Sequence, residues 1–184
     1  CLELTLGGFS FRSACRAVIG TAGAPCPITI TAADRSFVAE TYAPVSLEAG
    51  DVVTFGQPPK GMRCYLAVRG GFDIEPVLGS FATDTLAIVG PDPVGAGTIL
   101  PIKGEKSGLS SVSIDEVSAF EPPAMGEVVT LDVVLGPRTD WFTQEGLDTL
   151  TSQLWQVTPQ SNRVGIRLAG EVAVERKDSA ELPS

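Results

Sequence analysis

Two arginine-containing motifs in the second half of the sequence have the composition of an anion-binding site. The first, LGPRTDWF (residues 135–142), places Arg138 after a strand-like run and ahead of a predicted helix. A guanidinium group beside the free N–H groups of a helix N-terminus suits a carboxylate or a phosphate. Alternatively, Arg138 forms an ordinary surface ion pair with Asp140 or another nearby acid. The spacing of these residues favours neither alternative.

The second motif, TPQSNRVGIRL (residues 158–168), places Gln160, Ser161 and Arg163 before a predicted strand that carries Arg167. Alternation along RVGIRL puts the two arginines on one face of that strand and the apolar side chains on the other. We expect the apolar face to pack inward; the alternative for the arginines is a solvent-exposed face without a ligand. Together with the first motif, this pattern predicts an anionic site lined by arginines from different strands.

A third candidate lies within VRGGFDIEPVLGSFATDTLA (residues 68–87) and combines glycine with hydroxyl and carboxylate groups. Gly79 would let the backbone approach a ligand, and Ser80, Thr83 and Asp84 would hydrogen-bond to it. The same residue types are common in turns, and the composition favours that second interpretation. The pattern is not GxGxxG and no strong helix follows it, which excludes a dinucleotide-binding fingerprint.

The sequence contains no histidine, which excludes histidine-based triads and the usual zinc sites. Its four cysteines form no CxxC motif and have the spacing of neither a metal site nor a redox pair. We therefore expect no bound metal. Cys26, between two prolines, is the one cysteine with a conceivable function, but no basic neighbour lowers its pKa, and an inert thiol is the favoured interpretation.

Charge and hydropathy narrow the class of partner. The formal net charge is −9, from 13 Lys and Arg against 22 Asp and Glu, and this excess of acid argues against a nucleic-acid partner. No apolar run is long enough to cross a membrane, and no secretory signal is evident. The cysteine usage makes the reducing cytoplasm the expected compartment.

Short β-branched or aromatic runs, each closed by Gly, Pro or Asp, predict a mainly β protein with few helices, arranged as a barrel or sandwich. The runs are LELTLGG, PCPITITAAD, DVVTFG, MRCYLAVRGG, TLAIVG, TILPIKG, EVVTLDVVLG and RVGIRLAG. One helix is predicted over residues 143–155, with Thr143 as N-cap and leucines 147, 150 and 154 on one face.

A polar, serine-rich and proline-interrupted stretch predicts how the chain is divided. We expect a first β-unit at residues 1–104, a linker at 105–127, and part of a second β-unit at 128–184. The first residues already alternate like a strand, so we also expect the sequence to be an internal segment of a larger protein.

Several of these motifs resemble the biotin-dependent carboxyltransferase-like family. The segments that carry the resemblance are CLELTLGG, TAGAPCP, YLAVRGGFDIEPVLGSFATDTLA, LGPRTDWFT and TPQSNRVGIRL, in this order along nearly the whole chain. The family includes the C subunit of 5-oxoprolinase (PxpC), the sporulation regulator KipA, allophanate hydrolase subunit 2 and the carboxyltransferase part of urea carboxylase. Its usual chain is longer at both ends. The fold that the resemblance implies is a pair of cyclophilin-like β-barrels.

The resemblance assigns nine residues to a substrate-binding cleft. They are Gly79, Ser80, Thr83 and Asp84 on the family's LGSRSTD pattern, Arg138 on GPRxDxF, and Gln160, Ser161, Arg163 and Arg167 on PQSDRMGxRL. Phe81 and Ala82 stand where the family has Arg and Ser, and Asn162 stands where it commonly has Asp. We assign no catalytic base or nucleophile.

The activity that the resemblance implies is that of the C subunit (PxpC) in an ATP-dependent 5-oxoprolinase, a hydrolase complex that opens the cyclic amide 5-oxoproline to glutamate. The implied partners are a PxpB/KipI-like protein and a LamB/YcsF-like protein, which are the B and A subunits of that complex. Without them the chain is expected to be inactive. We expect this chain to bind no cofactor tightly, while the complex uses ATP with Mg²⁺.

Two other functions stay open within the same family. One is the carboxyltransferase component of a biotin-dependent urea carboxylase or amidolyase, which needs a biotinylated carrier protein. The other is a non-catalytic, KipA-like regulator that binds a kinase inhibitor.

Overall fold

The computed structural model describes residues 1–104, 121–162 and 165–178. The chain divides into two compact units, Cys1–Val129 and Thr130–Ser184. The predicted domain boundaries stay a prediction, since most of the predicted linker lies outside the described residues. Arg163 of the predicted site also lies outside them.

The described part of the first unit contains eight strands in two four-stranded antiparallel sheets. The first sheet has the order β1 (Leu2–Thr5), β8 (Arg63–Val68), β3 (Ala17–Gly23), β6 (Val45–Leu47). The second has the order β2 (Ser10–Arg12), β7 (Val52–Phe55), β4 (Ile28–Thr31), β5 (Ser36–Ala39). The mainly β prediction is confirmed. The described strands leave both sheets open at their edges, so they do not form a closed barrel.

Alternating side chains build a common core between these sheets. In β4 the sequence ITIT points Ile28 and Ile30 inward, where both are fully buried, and leaves Thr29 and Thr31 on the other face. Leu47, Val53, Phe55, Cys64 and Leu66 join them from strands of both sheets. Full burial of one such aliphatic or aromatic side chain contributes about 1.5–3 kcal/mol, so this cluster holds the two sheets together.

Three predicted strands are wrong: TLAIVG, TILPIKG and EVVTLDVVLG lie outside every strand of the structure. Leu86 and Ile88 are each 88% exposed and Val134 is 98% exposed. A β-branched sequence forms a strand only where it pairs with a neighbouring strand and packs on an apolar surface. Among the described residues, these three runs have neither a pairing strand nor such a surface.

The described residues of the second unit form a short 3-10 helix (Thr139–Trp141), an α-helix, α1 (Gln144–Ser152), and a hairpin of β9 (Gln156–Val157) with β10 (Leu168–Ala169). The predicted N-cap is confirmed, because the hydroxyl of Thr143 accepts a hydrogen bond from the amide of Gly146 at 3.0 Å. Nine residues are far fewer than the about 20 that a membrane span requires, and the other described helix is shorter still.

The predicted strand RVGIRLAG is confirmed only in small part, within the residues that the structure describes. Leu168 and Ala169 form β10, whereas Ile166 lies outside it and is 61% exposed. Gly146 is the one buried residue described in this unit, so no apolar core receives the face that was expected to pack inward.

Candidate functional site

The side chain of Arg138 is exposed and stacked on an aromatic ring. Its guanidinium carbon lies over the ring of Trp141, 4.1 Å from the centroid. The amide of Trp141 donates to the carbonyl of Arg138 at 3.3 Å, which closes the turn that brings the two side chains together. Among the described residues no carboxylate lies within ion-pairing distance of this guanidinium, so the alternative ion pair with Asp140 is not formed.

The N-terminus of α1 follows directly. Its capping residue, Thr143, donates its own amide to the carbonyl of Glu175 at 3.2 Å. The amides of Gln144 and Glu145 have no acceptor among the described residues. The carboxylate of Glu145 stands in the same first turn and opposes binding of an anion there, whereas the charge of the Arg138 guanidinium would favour one.

The loop between β9 and β10 holds the other described residues of the arginine site. The hydroxyl of Ser161 accepts from the amide of Arg167 at 2.9 Å, and the carbonyl of Arg167 accepts from the amide of Thr158 at 2.9 Å. These bonds fix the backbone of Arg167 and occupy Ser161, which therefore has a structural role. The guanidinium of Arg167 and the amide of Gln160 make no hydrogen bond or ion pair within the described parts of the chain.

The structure places Arg138, Gln160 and Arg167 in the second unit, with their polar groups available to a ligand. Arg138 forms no hydrogen bond or ion pair with the β9–β10 loop in the residues described. Convergence of the arginines on one ligand therefore stays a prediction.

The turn at Gly79 closes on itself. Val77 and Ser80 exchange two backbone hydrogen bonds of 2.9 Å, and Gly79 has a φ of +77° that glycine adopts without strain. The hydroxyl of Ser80 accepts from the amide of Ala82 at 3.1 Å. Gly79 and Ser80 thus shape a tight turn.

Thr83 and Asp84 form the next turn of the same segment. One carboxylate oxygen of Asp84 accepts from the amides of Leu86 and Ala87, at 2.9 and 3.0 Å. The hydroxyl of Thr83 donates to the carbonyl of Pro91. These contacts agree with the turn interpretation, and ligand binding by this segment stays a prediction.

The surroundings of Cys26 agree with the interpretation of an inert thiol. Cys26 is buried, and burial raises the pKa of its thiol. It contacts the thiol of Cys64, whose pKa is raised to about 12, first by burial and then by the proximity of Cys26. A thiol held in this form is a poor nucleophile at neutral pH. The described residues contain no group of three or more Cys, Asp or Glu side chains placed to hold a metal.

Trp141 is the residue of this site that sequence reasoning missed. The signal was an aromatic residue three positions after an arginine, in the short turn ahead of the predicted helix. That spacing brings two side chains together when the turn adopts a helical conformation.

Comparison with known proteins places the whole chain in one family. Residues 1–184 match the family described as carboxyltransferase domain, subdomain A and B. The chain is 30% identical over 183 residues to the C subunit of 5-oxoprolinase from Escherichia coli, covering 100% of this chain and 56% of that protein. It is also 30% identical over 178 residues to urea amidolyase of Saccharomyces cerevisiae, covering 92% of this chain and 9% of that one.

A solved structure agrees with this assignment. The crystal structure of the K. lactis urea amidolyase superposes with a TM-score of 0.65 at 28% identity, over 91% of this chain and 11% of that one. The chain therefore spans only about half of one curated relative, the 5-oxoprolinase C subunit, and a small part of the urea amidolyases.

Proposed function

This chain belongs to the carboxyltransferase domain family, subdomains A and B, and on that premise we propose that it acts as part of the C subunit of an ATP-dependent 5-oxoprolinase. The observation that carries the proposal is the extent of the match to the E. coli C subunit, which includes every residue of this chain and more than half of that protein. In this function the chain contributes to hydrolysis of a cyclic amide, and it acts only with partner proteins.

The arginines of the second unit would hold the substrate. 5-Oxoproline carries one carboxylate beside a lactam ring, and a guanidinium group binds a carboxylate through two parallel N–H···O bonds. Arg138 and Arg167 both keep their side-chain donors unoccupied within the described residues. The exposed amide of Gln160 has both a donor and an acceptor for the lactam.

The other groups of the reaction belong to the complex. Partners of the PxpB/KipI-like and LamB/YcsF-like types would supply ATP hydrolysis with Mg²⁺ and any imidazole acid–base group, since this chain contains no histidine. Exposed apolar runs such as EVVTLDVVLG would gain partner strands there and complete a pair of cyclophilin-like barrels. The reducing cytoplasm is the proposed compartment.

A urea carboxylase-type carboxyltransferase is the second candidate. It is favoured by the equal identity to urea amidolyase and by the superposition on the K. lactis enzyme. In that function the chain would accept carboxybiotin from a biotinylated carrier protein, and urea would replace 5-oxoproline.

The test is to co-express the chain with the PxpB/KipI-like and LamB/YcsF-like proteins of its own organism and to measure glutamate release from 5-oxoproline with and without ATP. We expect ATP-dependent release, and a higher KM for 5-oxoproline in the Arg138→Ala and Arg167→Ala complexes. Arg16→Ala is the matched control, since Arg16 is an exposed arginine of the first unit that pairs with Glu48 at 3.4 Å. An assembled complex that releases no glutamate but carboxylates urea with a biotinylated carrier would replace the first function with the second.

A further inference from the structure

We propose that Trp141 is a positioning residue for Arg138: its indole ring supports the guanidinium from one face and leaves the edge free to bind a planar carboxylate. This inference rests on the proposed function of Arg138 as a substrate-binding residue. It adds two features to that function: the group that orients the Arg138 guanidinium, and the planar geometry of the anion that this guanidinium binds.

The stacking geometry decides which donors remain available. All five N–H bonds of a guanidinium group lie in its plane, whereas an aromatic ring attracts the cation through its face. The ring of Trp141 lies 4.1 Å from the guanidinium carbon of Arg138, so the ring restricts the side chain without occupying a donor. A bound carboxylate would then lie at the edge of the guanidinium, coplanar with it.

Two hydrogen bonds fix the main chain of Trp141, from which its ring projects. Its amide donates to the carbonyl of Arg138 at 3.3 Å, and its carbonyl accepts from the amide of Lys177 at 3.0 Å. The indole N–H makes no hydrogen bond in the described parts of the chain. Among the described residues, the interaction recorded for this side chain is its stacking on Arg138.

The other tryptophan provides a contrast. The indole N–H of Trp155 donates to the carbonyl of Leu150 at 2.8 Å, and its ring covers Gly170 so closely that a Cβ there would lie 2.6 Å from it. Trp155 thus stabilises the second unit, and no cation of the described residues lies over its ring. Substitution of Trp155 should affect stability, whereas substitution of Trp141 should affect ligand binding.

The experiment compares Trp141→Leu, Trp141→Phe and Trp155→Phe in the assembled complex, with 5-oxoproline as the ligand. We expect Trp141→Leu to raise the KM for 5-oxoproline about three- to tenfold with little change in kcat, and Trp141→Phe to restore most of the affinity. Binding of 2-pyrrolidinone, which is the same ring without the carboxylate, should not change. In an Arg138→Ala background, Trp141→Leu should have no further effect.

Two outcomes overturn the inference alone, and a third overturns the proposed function of Arg138 together with it. If Arg138→Ala weakens 5-oxoproline binding but Trp141→Leu does not, Arg138 binds the substrate without help from the ring. If Trp141→Leu weakens 5-oxoproline and 2-pyrrolidinone equally, its role is general packing. If Arg138→Ala itself has no effect, the proposed function of Arg138 fails, and the inference fails with it.

A measurement without ligand checks the stacking itself. The Nε–H proton of Arg138 in the ¹⁵N-labelled chain should show an upfield ring-current shift that Trp141→Leu removes and Trp155→Phe leaves unchanged. An Arg138 resonance at the ordinary position in the unsubstituted chain would contradict the stacking.

Discussion

The buried thiols of Cys26 and Cys64 should make the folded chain lose stability at alkaline pH. Cys64 lies in β8 and is 1% exposed. Burial, and then the proximity of Cys26, raises its pKa from 9.0 to about 12. In the unfolded chain the thiol ionises near its ordinary value, so the unfolded state releases a proton that the folded state retains. The contribution of the Cys64 thiol to folding stability is therefore fully present below pH 9 and is lost as the pH rises towards 12.

The magnitude follows from the difference between the two pKa values. At pH 10, one unit above the ordinary value, ionisation of Cys64 in the unfolded chain costs about 1.4 kcal/mol of folding stability relative to pH 7. Burial also raises the pKa of Cys26. Ionisation of Cys26 in the unfolded chain therefore lowers the folding stability further at alkaline pH.

The assay is urea unfolding at pH 7 and pH 10. The pH-dependent loss of stability should shrink by about 1.4 kcal/mol or more in a Cys26→Ala/Cys64→Ala chain. Cys15→Ala, a substitution at an exposed cysteine, is the control. Comparing each chain at pH 7 and at pH 10 cancels the change in the free energy of unfolding that the substitution itself causes. Equal losses in all three chains would refute the reasoning. So would labelling of all four thiols of the folded chain by Ellman's reagent at one common rate.

Two further predictions concern single contacts. Asp51→Ala should lower the free energy of unfolding by about 1–2 kcal/mol, because the buried carboxylate of Asp51 accepts from the amide of Glu48 at 2.9 Å and Ala leaves that amide unpaired; an unchanged urea midpoint would contradict this. Gly146→Ala should lower the thermal midpoint of the helical signal, at a cost of about 1–3 kcal/mol, since its Cβ would lie 2.5 Å from the carbonyl oxygen of Glu175. Gly165→Ala is the control, with nothing within 4 Å of its Cβ, and a loss of equal size there would count against the steric explanation.

Local patterns predicted the strands whose own side chains alternate between a buried and an exposed face. The alternation ITIT in β4 is a clear strand signal, and β5 and β7 receive it on either side. The strand AVIGTAG (β3) was missed because Ala and Gly have low strand propensity; it forms because β6 and β8 pair with its two edges. The run EVVTLDVVLG has a stronger signal and forms no strand, since propensity does not reveal whether a pairing strand is present.

At the candidate site, the sequence likewise predicted a contact between near neighbours but not one across a longer loop. The N-cap at Thr143 depends on contacts within four residues, and the pattern TQEG was enough to predict it. The use of the Ser161 hydroxyl by the backbone of Arg167 joins residues six positions apart in the loop between β9 and β10. Residue types alone could not distinguish that structural role from ligand binding.

The most direct test of the arginine site is a crystal structure of the assembled complex with 5-oxoproline bound. We predict that the ligand carboxylate lies at the edge of the Arg138 guanidinium, with two N···O distances of about 2.7–3.0 Å, and that a nitrogen of Arg167 lies on the same ligand. A 5-oxoproline molecule whose carboxylate contacts neither of these arginines would contradict the account.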